Sequence, residues 1–339
     1  MVRAPDPCRS DASGRMSILI GDIGGTYARF ALADGASVGP VWSVEVAARR
    51  NAVEAIADFV ATQRAGVAID GALLAAAGPV EGGRCKLTNA AWILDEAEVA
   101  RAFGLSSVRI VNDLEAVAAG LPDLPKLQMR RIGPEDGIFG APMAIVAPGT
   151  GLGMACLVVG PRGRHVIGGE GGHASLACID AEHDRLIAIL RREFGHVSAE
   201  RILSGRGLAN LHRAIALRDG INVEARTPAE VTAGAFDGSC VVCRAAVDAF
   251  CAVLGAVAGD LALTIGARGG IFIGGGIVPR FVNHLAGSAF RQQFEAKGRL
   301  QPYLARVPTH VILHQNPAFV GLIGLLADAR AQGRHVAAL

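Results

Sequence analysis

Apolar runs of strand length alternate with glycine turns and with stretches of helical spacing along most of this chain. Residues 17–20 and 28–32 read as strands on either side of the turn GDIGGT, and runs at 72–76 and 108–111 repeat the signal. Between them Val53, Ile56, Ala57 and Val60 share one helical face, which predicts a helix over 51–64. A second cycle begins at 143–146, where a strand, the turn PGTGLG and a strand at 154–159 reproduce the order met at 17–32. Helical patterns follow over 180–194, 198–202, 209–217, 228–236 and 241–265. A buried-type strand at 270–273 runs into Gly274, Gly275 and Gly276, and another at 309–313 precedes a closing helix from Pro317 to about Arg330.

This is a mixed α/β pattern, and the repeated strand-turn-strand order predicts two related lobes with a cleft between them, a glycine turn on each side. Length agrees: 339 residues exceed what one core usually serves, and 51% hydrophobic content supplies enough burial for two domains. Residues 140–160 carry no charge, yet Pro142, Pro148, Gly149, Gly151 and Gly153 interrupt them, so two buried strands around a turn fit better than a membrane span. Lys plus Arg number 33 against 31 Asp plus Glu, a net +2 with no long basic run, which argues against a nucleic-acid partner. Seven scattered cysteines do not read as a disulfide framework and suit a reducing compartment, the cytoplasm. The opening MVRAPDPCRSDASGRMS lacks an apolar core of signal-peptide length, so residues 1–15 read as a disordered extension and Met16 as a second candidate start.

The chemistry concentrates in the glycine turns. In GDIGGT, Gly21 leads into Asp22, and Gly24 and Gly25 allow backbone angles that a Cβ would forbid, so successive N–H groups can point at one anion while Thr26 adds a hydroxyl. Asp22 would repel a bare phosphate and makes sense there as a holder of Mg²⁺ through its water shell. For one such turn taken alone, an ordinary hairpin is the better reading. The same grammar recurs at Gly149, Thr150 and Gly151, and Gly275 and Gly276 follow a buried strand where a nucleotide base can rest on bare backbone. No Gly-Lys-Ser/Thr follows either turn and neither is a G-x-G-x-x-G opening a helix, so the P-loop and dinucleotide folds are disfavoured.

Asn112 and Asp113 end a buried-type strand where a helix should start, a place that lines clefts. Asp113 there can accept the proton of a substrate hydroxyl attacking a γ-phosphoryl group, or either residue can simply cap the helix. Glu170 and His173 in GGEGGH, and Glu200 at a helix start after Ser198, are side chains that can read sugar hydroxyls. Glu200 equally suits a first helical turn, where a carboxylate meets the positive end of the dipole.

These residues, in this order, resemble the bacterial glucokinase family of the actin-like, hexokinase-type sugar kinases. The resemblance runs from about residue 17 to 330 and is carried by LIGDIGGTYARFAL, AAAGPVEGGRCKLTNAAW, RIVNDLEAVAAG, APGTGLGMACLV, GGEGGHASLA, SAERILSGRGL and GGIFIGGGIVPRF. It implies a two-lobed actin-like ATPase fold, a duplicated ribonuclease H-like unit with a central cleft. The small α/β domain is then 16–122 plus 314–339, and the large α/β domain is 123–313. It implies ATP-dependent phosphorylation of glucose to glucose 6-phosphate with Mg²⁺ carried by the nucleotide, in a cytoplasmic homodimer that touches neither nucleic acid nor membrane. Asp113 matches the family's base. Asn89, in the LTN segment, Asn112, Glu170, His173 and Glu200 match its sugar contacts, and Gly24, Gly25, Thr26, Gly149, Thr150, Gly275 and Gly276 its nucleotide turns.

A related group of sugar kinases and repressors carries a cysteine-rich zinc site after its Gly-His motif. Here only Cys178 follows His173 nearby, so no structural zinc is expected. Cys240 and Cys243 form a C-x-x-C inside an apolar helical stretch with no second pair, which reads as core. Another hexose, a polyphosphate donor, or a non-catalytic sugar-sensing regulator are the alternatives. The short extension has no room for a helix-turn-helix, and motif spacing does not resolve one epimeric hydroxyl.

Overall fold

A computed structural model describes residues 17–336 except 36, 64–66, 135 and 162, so the expected extension at 1–15 lies outside the described residues. The chain divides into two compact units, Met1–Asp113 with Ala329–Leu339, and Leu114–Asp328.

The first unit is built on a sheet of β1 (Ser17–Ile23), β2 (Tyr27–Asp34), β3 (Ser37–Val38), β4 (Trp42–Glu45), β5 (Ile69–Ala76) and β9 (Ser107–Asn112). Its order is β3-β2-β1-β5-β9, with β4 pairing β2. β1 and β2 form an antiparallel hairpin, whereas β1, β5 and β9 run parallel. Central parallel strands are covered on both faces, which is why β5 is an unbroken buried run from Gly71 to Ala76. Phe30, Trp42 and Phe59 meet with ring centroids about 6 Å apart and fasten α1 (Ala52–Ala61) to the hairpin. Asn51 caps that helix by accepting the Glu54 N–H. A small sheet of β6 (Val80–Glu81), β7 (Arg84–Lys86) and β8 (Ile93–Asp95) precedes α2 (Glu96–Phe103), which Asp95 caps and Gly104 ends at φ 63°. α3 (Asp113–Ala119) starts directly where β9 stops.

The second unit carries a sheet of β10 (Met129–Ile132), β11 (Met143–Pro148), β12 (Leu152–Gly160), β13 (Gly163–Gly169), β14 (Gly270–Ile273) and β15 (Thr309–Ile312). The order is β10-β15-β14-β11-β12-β13. Within it, β13-β12-β11-β14-β15 repeats the first unit's plan: an antiparallel hairpin first, then parallel strands on its far side. The expected duplication is present, and the uncharged stretch at 140–160 is the β11–β12 hairpin.

Helices α4 (Ala181–Phe194), α5 (Gly205–Asp219), α6 (Pro228–Phe236) and α7 (Val241–Ile265) pack into this unit's core with α8 (Val282–Gly287), α9 (Phe290–Glu295) and α10 (Gln301–Leu304), and α11 (Pro317–Ala331) closes the chain. α7 is long and apolar enough to cross a membrane, but it packs against α5, α6 and α9 and is the core helix of a globular unit. Gly120 on the α3 side and Gly321 on α11 let two backbones touch, since a Cβ on Gly321 would overlap the Ala116 carbonyl.

The helix expected over 198–202 is a single 3₁₀ turn, Ala199–Arg201. Ser204 explains the stop: it adopts an extended conformation and caps α5 by accepting the Gly207 N–H at 3.0 Å, so the preceding turn cannot propagate.

Candidate active site

The GDIGGT turn joins β1 to β2 in the first unit. Its first glycine sits in the strand, where a Cβ on Gly21 would come 2.8 Å from the Leu74 side chain. Gly24 donates to the Tyr27 carbonyl at 3.0 Å, and Val46 donates to the Thr26 carbonyl at 2.9 Å, so the turn is tied to the strand beside it. Neither Gly24 nor Gly25 lies in the left-handed region. The need for glycine at 25 is room rather than angle: a Cβ there would sit 2.9 Å from the Cβ of Asn89, which is itself exposed.

Asp22 pairs with Arg29 across the hairpin, and their charged groups stand 3.6 Å apart. Burial pushes the Asp22 carboxyl above the usual aspartate range, and Arg29 offsets this only in part. Arg29 was missed in the sequence. A one-to-one hairpin register around GDIGGT would have found it, because Asp22 and Arg29 are then direct partners.

Asn112 is the last residue of β9 and Asp113 the first of α3. Asn112 donates from Nδ2 to the Gly78 carbonyl at 3.1 Å, which anchors the strand end to the loop after β5. Asp113 is half-buried, and its charge, after burial itself, helps raise the nearby Cys85 thiol. Both capping and catalysis place a carboxylate at this point, and Asp113 sits at the carboxyl end of a parallel strand, where α/β sheets carry ligands.

In the second unit the turn from Gly149 to Gly151 links β11 to β12, with Gly149 donating to the Gly151 carbonyl at 2.8 Å. Gly205 N–H in turn reaches the Gly149 carbonyl at 2.9 Å, so the start of α5 braces the turn. Gly275, at φ 77°, lies against the Pro148 carbonyl so closely that a Cβ would overlap it. This brings the Gly274–Gly276 cluster beside the Gly149 turn, with Thr150 between the two glycines of that turn and Gly276 free of any nearby Cβ obstacle.

Glu200 accepts the Leu152 N–H through Oε2 at 2.9 Å, and a Cβ on Gly151 would come 2.5 Å from the same oxygen. Its partner is therefore a backbone group of β12, and Ser198 makes no side-chain cap bond at its turn. The loop carrying Glu170 and His173 lies alongside. Ala199 N–H reaches the Ala174 carbonyl at 3.1 Å, and Ser175 bridges to Ser198. Glu170 Oε2 and His173 Nε2 are 3.8 Å apart, with both side chains more than half exposed. Gly172 presses on the Leu152 carbonyl, with no room for a Cβ, which fixes this loop against β12. Glu170, His173, Glu200 and the Gly149 turn thus gather at one corner of the second unit, while Asp22, Asn89, Asn112 and Asp113 belong to the first.

A chemistry of two parts is legible here: glycine turns whose N–H groups suit phosphate oxygens, and carboxylates at strand ends that accept from hydroxyls. A family model described as Glucokinase matches residues 19–329. A glucokinase of Paramagnetospirillum magneticum is 44% identical over 316 residues, covering 92% of this chain and 98% of the relative. A crystal structure of a glucokinase from an Antarctic psychrotroph superimposes with a TM-score of 0.85 at 36% identity, over 91% of this chain and 98% of the other. A glucokinase of the ROK family from Streptomyces griseus, crystallised with glucose and AMPPNP, shares the fold at a TM-score of 0.60 and 21% identity, over 91% and 98% of the two chains.

Proposed function

The chain belongs to the glucokinase family, whose reaction is ATP-dependent phosphorylation of glucose to glucose 6-phosphate, and on that premise we propose how its own residues divide the work. The observation that carries the reading is the family match over nearly the whole chain, with Asp113 at the carboxyl end of a parallel strand within it.

Asp113 accepts the proton of the 6-hydroxyl as that oxygen attacks the γ-phosphorus. The bond between the γ-phosphorus and the bridging oxygen breaks, and ADP leaves with the electron pair. Asn112, held by Gly78, and Asn89 bind the sugar from the first unit's residues. Glu170, His173 and Glu200 bind its other hydroxyls, and Glu200 is oriented for this by the Leu152 N–H. Each carboxylate accepts from two hydroxyls, so sugar preference rests on where these oxygens are held.

The turns at Gly21–Thr26 and Gly149–Gly151 donate to phosphate oxygens, and Gly275 and Gly276 give the nucleotide close backbone approach. A partly buried carboxylate with an arginine 3.6 Å away fits a water-mediated metal anchor, and Asp22 is the residue that would hold Mg²⁺ in this way. When bound, Mg²⁺ supplies charge neutralisation on the β- and γ-phosphate oxygens. The functional domains follow the family limits, 16–122 plus 314–339 and 123–313, and the active form is a homodimer in the cytoplasm.

The test is formation of the sugar phosphate across a panel of hexoses, with ATP and polyphosphate offered separately as donors. Fastest turnover with glucose and ATP is expected. Turnover confined to mannose or another hexose, or to polyphosphate, would replace the substrate assignment, and no turnover with any sugar would replace catalysis by sensing.

A further inference from the structure

A cluster of soft ligands lies in the second unit apart from the residues assigned to the reaction. A ring nitrogen of His212, on α5, and the sulfurs of Cys240 and Cys243, at the start of α7, all fall within 4.8 Å of one another. His212 is 1% exposed, and its Nε2 is sealed from solvent with no hydrogen-bond partner among the described residues. A buried polar atom without a partner calls for an explanation, and two thiols near the same ring are the other donors of a metal site.

The surroundings favour ligation. Cys240 is the N-cap of α7, and its sulfur accepts the Cys243 N–H at 3.4 Å, the kind of bond that stabilises a thiolate. Arg226 donates to the Cys243 sulfur at 3.4 Å. Gly234 on α6 keeps the space open: a Cβ there would sit 3.3 Å from both the Cys240 Cβ and the Cys243 sulfur, and 2.7 Å from Arg226.

We propose that His212, Cys240 and Cys243 form a structural site for a thiophilic closed-shell cation of the zinc type, which clamps α5 to the start of α7. Zinc bonds of about 2.3 Å to sulfur and about 2.0 Å to nitrogen need only a modest closing of the three donors. Two thiolates and a neutral imidazole balance the charge of Zn²⁺, and the Arg226 N–H remains a hydrogen bond to a ligating sulfur. This is a different place from the loop after His173, and the C-x-x-C that reads as core along the sequence acquires its third donor only through the fold.

The experiment uses the full chain, reduced and freed of metal, titrated with Co²⁺ and with Zn²⁺. The expected result is thiolate-to-cobalt charge-transfer absorption that saturates at one equivalent and is bleached by Zn²⁺. Cys240→Ser should lose about half of the charge-transfer intensity, and His212→Gln should shift the ligand-field bands. Zn²⁺ should raise the unfolding temperature of the wild type and leave that of Cys240→Ser unchanged, with glucose phosphorylation the same in both. Reduced wild-type protein that gives no charge-transfer band, or a band that survives in the Cys240→Ser, Cys243→Ser double variant, would overturn the site.

Discussion

At Asp22 the proposed metal-anchoring role and folding stability pull in opposite directions. Burial pushes its folded carboxyl above the ordinary aspartate range, so the folded protein holds that proton more tightly than the unfolded chain does. The stability this contributes is present below the unfolded value and is lost as pH rises through the raised folded one. At neutral pH the charged, partly buried carboxylate therefore weighs against folding. Asp22→Asn should raise the unfolding temperature at neutral pH while lowering kcat, and the stability gain should shrink as pH falls toward 3.8. Thermal unfolding followed across pH checks this, and an Asn variant less stable at neutral pH would show that the Arg29 pair outweighs burial.

The same residue shows how far reading from sequence extends. GDIGGT announces a turn with a carboxylate before it, but the requirement at Gly25 is space beside Asn89, a contact between segments far apart in the chain. Likewise Glu200 in SAERIL fits a helix start by local rules, whereas its carboxylate is bonded to a strand N–H whose position depends on the sheet. Residue types and order were readable; partners contributed by other elements were not.

Among elements, the long periodic ones were legible and the short ones were not. The helices at Pro228–Phe236 and Val241–Ile265 and the strand at Gly270–Ile273 stand where their patterns put them. Thr227 and Glu230 form a capping box around Pro228, and Gly266 ends α7 at φ 66°, so the start of α6 and the end of α7 have local causes. α8, α9 and α10 are six residues or fewer and offer too little periodicity to see, while β13 has Val166 and Ile167 side by side among glycines and polar residues, with no apolar alternation.

α9 and α10 are held by tertiary bonds from Arg291 on α9. Its guanidinium donates to the Val307, Leu304 and Ala305 carbonyls at 2.8, 2.9 and 3.1 Å and pairs with Glu295 at 2.5 Å. Arg291→Ala should destabilise the protein by about 3 kcal/mol, because it strands several carbonyls and a partly buried carboxylate. Urea unfolding should show a lower midpoint with an unchanged slope, and a shift equivalent to less than about 0.5 kcal/mol would mean that water replaces these bonds freely.

At the scale of the whole molecule, two sheets share one strand order, β3-β2-β1-β5-β9 and β13-β12-β11-β14-β15, and each has its glycine turn at the same point, between the first and second strands of the hairpin. That repeat was visible as strand, turn and strand at 17–32 and again at 143–159. The contact limits at Asp113 and Asp328 were not, because α3 and α11 meet through Gly120 and Gly321, and such a crossing leaves no local pattern. Asp113 ends one unit at the point where its last parallel strand gives way to a helix, and the proposed mechanism makes it the proton acceptor. The most direct test is therefore turnover of Asp113→Asn with glucose and ATP, measured beside its glucose affinity by calorimetry. A fall in kcat of roughly 10²-fold or more with glucose binding largely retained is the predicted result. Near-normal turnover, or a loss fully accounted for by weaker glucose binding, would contradict the assignment of Asp113 as the base.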